Sequence, residues 1–366
     1  MNTAQREPSF QLEEYLTESI RGIVKSMTHL SSFSAKESLF MTSFAQAAHR
    51  AASVRRRMEE AGEHIPPFLI ASITHRCNLH CVGCYARSVG SCADGADDPM
   101  TADEWERVFS EAKDLGITFI LLAGGEPLVR KDVLERAAKY PEILFPVITN
   151  GTMIGEDYLD FFDKHRNVVP ILSIEGGEET TDERRGKGVY RSLQEKIAKM
   201  KAKKIAFGAS MTVTHENLTE VTGNDYIQKM KEDGCKALIY VEFVATHESL
   251  KPLLLTDADR GAMSDRLDRV RKEEKSMVIL SFPGDEKHSG GCLAAGRGFF
   301  HIAASGGAEP CPFSPFSDVN VKEMPLREVL KSPLFERLKA SELLAGEHDG
   351  ACVLFGKDEE VKRLVL

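Results

Sequence analysis

Apolar residues recur every three or four positions at the start of the chain. Leu12, Leu16, Ile20, Ile23, Met27 and Leu30 form one stripe, and Leu39, Phe40, Phe44, Ala47, Ala48 and Ala51 form a second. The 3.6-residue period places each set on one face of a helix, so residues 1–66 predict a helical extension. Ser34, with Glu37 three residues on, predicts the start of the second helix, over Ala35–Glu60. From Phe68 the pattern becomes short β-rich runs alternating with amphipathic segments. Strands are predicted at Phe68–Thr74, Ile117–Ala123, Ile143–Thr149, Val168–Ile174, Ile205–Thr214 and Ala237–Val244. Helices fall between them at Asp103–Asp114 (Thr101 as N-cap, Glu104 three on), Lys131–Lys139, Glu156–Lys164, Tyr190–Lys203 and Asp225–Glu232. Six strand–helix units predict a parallel sheet with helices outside. They do not fill the eight of a closed barrel. The fold class is therefore α/β, a partial (β/α)6 barrel over 67–282 carrying the N-terminal helical extension. A helix near Asp257–Lys275 and a strand at Met277–Ser281 end that region. Residues 283–366 are richer in Gly, Pro and Cys, and predict a small C-terminal α+β domain.

Charge and composition remove several functions. At 366 residues with a net charge of −9, the chain has no basic excess with which to neutralise phosphates, so nucleic acid is not expected as its main partner. It has no run of 18 apolar residues, hence no expected transmembrane segment, and no basic n-region followed by an apolar stretch. The expected location is cytoplasmic. Eight cysteines in such a chain point to metal ligation more than to disulfides.

Three of those cysteines, Cys77, Cys81 and Cys84, lie in THRCNLHCVGCYA, directly after the first predicted strand. Their C-x3-C-x2-C spacing suits three corners of a cubic iron–sulfur cluster, leaving the fourth iron open for chemistry. Zinc knuckles prefer paired C-x2-C motifs and close at four ligands; no second such pair lies nearby. Gly124-Gly125-Glu126-Pro127 ends the second strand, its glycines permitting close backbone approach and its carboxylate suited to accept from an ammonium group. Thr149-Asn150-Gly151 ends the third strand. Ser173-Ile174-Glu175-Gly176 ends the fourth, followed by Arg184-Arg185-Gly186-Lys187-Gly188. Ser and Glu there suit hydroxyl binding, and Arg is the natural partner of a carboxylate. Strand ends are where sites sit in such sheets. Glu242 and His247, after the sixth strand, are weaker candidates to face a substrate. Cys92 reads as an ordinary thiol.

Together these motifs resemble the radical S-adenosylmethionine (radical SAM) superfamily. Val82 stands where an aromatic is common, and the aromatic falls at Tyr85 instead. The resemblance implies a catalytic [4Fe-4S] cluster on Cys77, Cys81 and Cys84, whose open iron chelates the methionine end of S-adenosylmethionine. It implies cosubstrate contacts from Tyr85, Gly124, Gly125, Glu126, Ser173, Glu175 and Arg185, with Glu175 replacing the more usual Asp. It further implies cleavage to a 5′-deoxyadenosyl radical, an electron donor such as a flavodoxin, its reductase or a ferredoxin, and a peptide or small-metabolite substrate. Cys292, thirteen residues, Gly306, four residues and Cys311 resemble the opening of SPASM/twitch domains. These bind auxiliary clusters; a hairpin around Gly306-Gly307 would place both cysteines at its base. Cys352 is the third candidate ligand of an auxiliary [4Fe-4S] cluster. The fourth position is open to a non-cysteine residue, water, substrate or Cys235. A non-catalytic iron–sulfur electron carrier is the alternative, though it has no need of GGEP or S-I-E-G.

Overall fold

In the computed structural model, which describes residues 12–28, 34–94, 99–344 and 352–365, nine strands form one curled sheet. The strands are β1 (Phe68–Ser72), β2 (Phe119–Ala123), β3 (Phe145–Thr149), β4 (Val168–Ser173), β5 (Gly208–Val213), β6 (Ala237–Glu242), β7 (Val278–Phe282), β8 (Phe299–Ile302) and β9 (Ala308–Glu309). Their order is β7-β6-β5-β4-β3-β2-β1-β8-β9. Every pairing from β7 to β8 is parallel, and only β8–β9 is antiparallel.

The helices are α1 (Leu12–Thr28), α2 (Ala35–Glu60), α3 (Tyr85–Ser88), α4 (Ala102–Leu115), α5 (Lys131–Ala137), α6 (Glu156–Lys164) and α7 (Glu178–Arg185). They continue with α8 (Val189–Lys203), α9 (Leu218–Val221), α10 (Asn224–Glu232), α11 (Asp257–Glu273), α12 (Leu326–Val329), α13 (Pro333–Ala340) and α14 (Asp358–Val365). The expected caps are present. Thr101 and Glu104 form a reciprocal capping box on α4, which ends at Gly116 in the left-handed region (φ 83°). The Ser34 hydroxyl accepts from the Glu37 backbone N–H.

The partial barrel is thus as expected, and the sheet runs past six units at both edges. β7 extends it beyond β6, and β8 joins β1 in parallel, with Ile70 opposite His301. The predicted strands began too early at Ile117, Ile143 and Ile205. Those residues are buried in the core but precede the hydrogen-bonded ladder, because an apolar run marks burial and not pairing.

Helices α1 and α2 cover the N-terminal mouth of the barrel. Ile20, Val24, Met41, Phe44 and Ala48 pack with Phe119 and Leu144, and against Phe68 and Val169, at the feet of four strands. A buried pair fixes the seat: Arg166 holds Glu37 at 2.7 Å. Leu39 does not point inward as the stripe suggested; it is 74% exposed. Two residues before Met41, it lies about 200° round the helix from that buried face. Leu30 lies outside the described residues.

The C-terminal region is tied to the barrel by a buried polar chain. Ser72 at the end of β1 meets His301 Nε2 at 2.7 Å, and His301 Nδ1 meets Glu309 at 2.7 Å. All three side chains are buried. Replacing His301 with leucine strands a hydroxyl and a carboxylate away from water. The variant is expected to lose on the order of 3 kcal/mol in urea unfolding; an unchanged midpoint would mean the chain contributes nothing to the junction.

Candidate active site

The cysteine loop leaves β1 and is held by each strand-end motif in turn. Thr74 accepts at its carbonyl from Gly125 N–H (2.9 Å), and Arg76 accepts from Glu126 N–H (2.8 Å), so the GGEP backbone continues the sheet beside the loop. A Cβ on Gly125 would collide with the Arg76 carbonyl and lie 3.1 Å from Cys77 N. Gly124 takes φ 117°, which side chains avoid. Asn150 donates to Asn78 at 2.8 Å, and Asn78 donates to Thr152 at 2.8 Å, so the TNG motif grips the loop between Cys77 and Cys81. Val82 N–H donates to the Arg184 carbonyl at 2.9 Å.

Glu126 is almost fully buried. It accepts from Leu128 N–H (3.0 Å), the Thr149 hydroxyl (2.6 Å) and Asn150 N–H (2.8 Å). Burial pushes its carboxyl up to about 7 against those three donors. A carboxylate has about four acceptor positions, so one is left for a ligand. Glu175 is tied in differently. One oxygen accepts from Arg184 (2.7 Å) and from Arg185 Nε (2.8 Å), the other from Thr212 N–H (2.7 Å). Burial pushes this carboxyl up, but Arg185 and Arg184 outweigh it and hold it below the ordinary glutamate value. Glu175 therefore clamps two guanidiniums, and the Asp-to-Glu change reads as reach. Arg185 Nη1 in turn lies 3.9 Å from Cys81 Sγ. Ser173 pairs in register with Ser210, and both line the cavity.

That cavity, of about 980 Å³, extends through the barrel from the N-terminal helices to the cysteine loop. Cys77, Cys81, Cys84, Gly125, Glu126, Ser173 and Arg185 line it, as do Cys292, Cys311 and Cys352. Tyr85 also lines it, with its ring edge-on to Phe313 (4.8 Å between centroids), two residues after Cys311. It therefore stands between the two cysteine groups. Glu242 reaches the wall held by Arg260 (2.7 and 2.9 Å), whereas His247 is exposed. The hairpin expected around Gly306 is β8–β9.

Sequence patterns missed three features. Arg184 shares Glu175 with Arg185; the doubled Arg was its only signal. Cys92 is buried, and its thiol draws the Cys77 thiol down to about 6. Glu286 sits among the C-terminal cysteines and belongs to no motif. Cys235 does not join them. Its thiol donates to the Ala237 carbonyl (3.1 Å) at the foot of β6, a strand length or roughly 20 Å from the Glu242 end.

Among the described residues no three His, Cys, Asp or Glu side chains converge on a single-ion position. Separated thiols on one loop, beside glycines that admit close approach and a fixed guanidinium, fit a polynuclear cluster better than a closed zinc site.

Comparison with known proteins agrees. Residues 71–223 match the model of the radical SAM superfamily. The AdoMet-dependent heme synthase of Methanosarcina barkeri is 27% identical, over 77% of this chain and 87% of that protein. The PqqA peptide cyclase of Rhizobium meliloti is 26% identical over 68% of each. Streptococcus suis SuiB, solved with S-adenosylmethionine bound, superposes with a TM-score of 0.64 at 16% identity, over 89% of this chain and 79% of SuiB, a likeness of fold. No helix among the described residues is long and apolar enough to cross a membrane. With the motifs, the half-barrel and these relatives in agreement, the chain is a radical SAM enzyme, a member of that superfamily.

Proposed function

We propose that this enzyme binds its catalytic [4Fe-4S] cluster through Cys77, Cys81 and Cys84 and S-adenosylmethionine beside it, and abstracts hydrogen from an organic substrate held in the barrel cavity. The convergence of the cysteine loop, Gly125, Glu126 and Arg185 at one end of one cavity carries this reading. When bound, the cluster supplies the electron that splits the cosubstrate's sulfonium and yields the 5′-deoxyadenosyl radical. The chain's own residues position the reactants. Arg185, fixed by Glu175, sets a positive charge where a carboxylate can dock. The GGEP backbone and the remaining acceptor position of Glu126 suit an ammonium group. Ser173 and Ser210 present hydroxyls to a ribose. Glu242, set on the wall by Arg260, is placed to exchange a proton with the substrate. Cys292, Cys311 and Cys352 would hold one auxiliary cluster across Tyr85 and Phe313.

For the substrate, α1 and α2 close one mouth of a cavity lined largely by apolar side chains such as Leu69, Leu121, Ile148, Ile171 and Ile239. That favours a small, largely apolar metabolite, in keeping with a relative named as a heme synthase. The PqqA peptide cyclase relative supports a peptide as the second reading.

The test is anaerobic reconstitution, reduction in the presence of S-adenosylmethionine, and assay of 5′-deoxyadenosine. Wild type is expected to form it, and the Cys77→Ala/Cys81→Ala/Cys84→Ala variant to form none. Iron without cosubstrate cleavage in either protein, even with candidate substrates added, would favour an electron carrier.

A further inference from the structure

The polypeptide between β7 and β8 turns Glu286 inward, toward the C-terminal cysteines. Its side chain is 3% exposed. It lines the same cavity as Cys292, Cys311 and Cys352. Its carboxylate accepts from Leu293 N–H at 3.0 Å. The Leu293 N–H that holds Glu286 follows Cys292 directly in the chain, so the carboxylate is anchored next to the first of these cysteines. Arg297 is near, yet it gives its guanidinium to the backbone carbonyls of Cys292 and Gly290.

A buried carboxylate is costly unless it is paired or coordinates a metal. Glu286 has about four acceptor positions, and one of them is taken by the Leu293 N–H. The thiols beside it are three where a cubic cluster has four irons to ligate. The rival fourth ligand, Cys235, is at the other end of β6.

We propose that Glu286 is the fourth protein ligand of the auxiliary cluster, binding iron through a carboxylate oxygen alongside Cys292, Cys311 and Cys352. This rests on the auxiliary cluster being present. A cluster closed by four protein ligands has no iron open to substrate, so its role here is to carry electrons along the wall of the cavity. An oxygen ligand sets its potential and spin signature apart from those of an all-thiolate cluster.

The experiment uses the full chain with Cys77, Cys81 and Cys84 all changed to alanine, purified anaerobically, with iron and sulfide assayed and electron paramagnetic resonance recorded. No iron in this background would overturn the auxiliary cluster, and the proposal with it. About four irons would establish the cluster. Adding Glu286→Ala is then expected to release one iron and give the signal of a three-iron cluster. Glu286→Cys is expected to restore about four irons with an altered reduced-state signal. Glu286→Gln serves if the alanine variant does not fold; losing one negative charge, its cluster is expected to shift to a higher midpoint potential. Iron content, spectrum and potential unchanged in Glu286→Ala, or in Glu286→Gln where that variant stands in, would overturn the assignment. Rescue by cysteine separates a ligand from a residue that merely packs, because a packing role gains nothing from a thiol.

Discussion

Replacing Glu175 with alanine is expected to destabilise the protein by about 3–5 kcal/mol and to weaken S-adenosylmethionine binding with it. Glu175 is buried beneath Arg184 and Arg185, whose side chains are themselves only 17% and 10% exposed. Removing the carboxylate leaves two desolvated cations with no other carboxylate in ion-pair contact among the described residues, together with an orphaned Thr212 N–H. Such a loss far exceeds that of an exposed pair, which is worth about 0–1 kcal/mol. Its pH dependence has a definite sign. Because the two guanidiniums hold Glu175 below its ordinary value, the native state resists protonation more than the unfolded state does. The contribution is therefore fully present above the ordinary glutamate pKa and fades as pH falls through the lowered one. Urea midpoints of wild type and variant should differ widely at neutral pH and converge on acidification. Isothermal titration with S-adenosylmethionine on a Glu175→Gln variant, which keeps the shape but not the charge, should show weaker binding. A loss below about 1 kcal/mol would mean that the arginines find solvent and that the clamp is not structural.

The second large effect is expected at Gly125. Its Cα faces the backbone of the cysteine loop, so an alanine methyl would meet the Arg76 carbonyl and crowd Cys77 N at 3.1 Å. A backbone wall cannot swing aside as a flexible side chain can. Relief requires parting the two segments, which breaks the Gly125–Thr74 and Glu126–Arg76 hydrogen bonds. The stability loss should be about 1–3 kcal/mol. The functional loss should be much larger, since the first cluster ligand moves. Gly125→Ala is expected to keep its far-ultraviolet circular dichroism, lose iron at the catalytic site and form no 5′-deoxyadenosine. Gly261→Ala is the control: within α11, with nothing within 4 Å of the added methyl, it should stabilise by about 1 kcal/mol at most. Normal iron loading and turnover in Gly125→Ala would show that the close approach is incidental.

Local signals in the sequence were strong wherever chemistry and backbone geometry coincide. Helix periodicity located α1 and α2, and Thr101 with Glu104 gave the start of α4. C-x3-C-x2-C, GGEP and S-I-E-G were each read at a strand end, where the fold delivers them. Apolar pattern was a weaker guide to strand limits, because Ile117, Ile143 and Ile205 are buried without being paired. It also misplaced Leu39.

What the chain's order of residues determined by itself was the set of units: the helical start, the strand–helix alternation and the superfamily motifs. These rest on interactions within a few residues, such as a cap, a turn or a period. What only the tertiary structure decided was partnership between distant segments. β8 beside β1, the Ser72–His301–Glu309 chain, α1 and α2 over the barrel mouth, and Glu175 as a clamp on Arg184 and Arg185 all belong to this group. So does Glu286 among the C-terminal cysteines. A lone glutamate has no spacing to betray it. Its role follows from being buried beside thiols, and burial is a property of the folded chain as a whole.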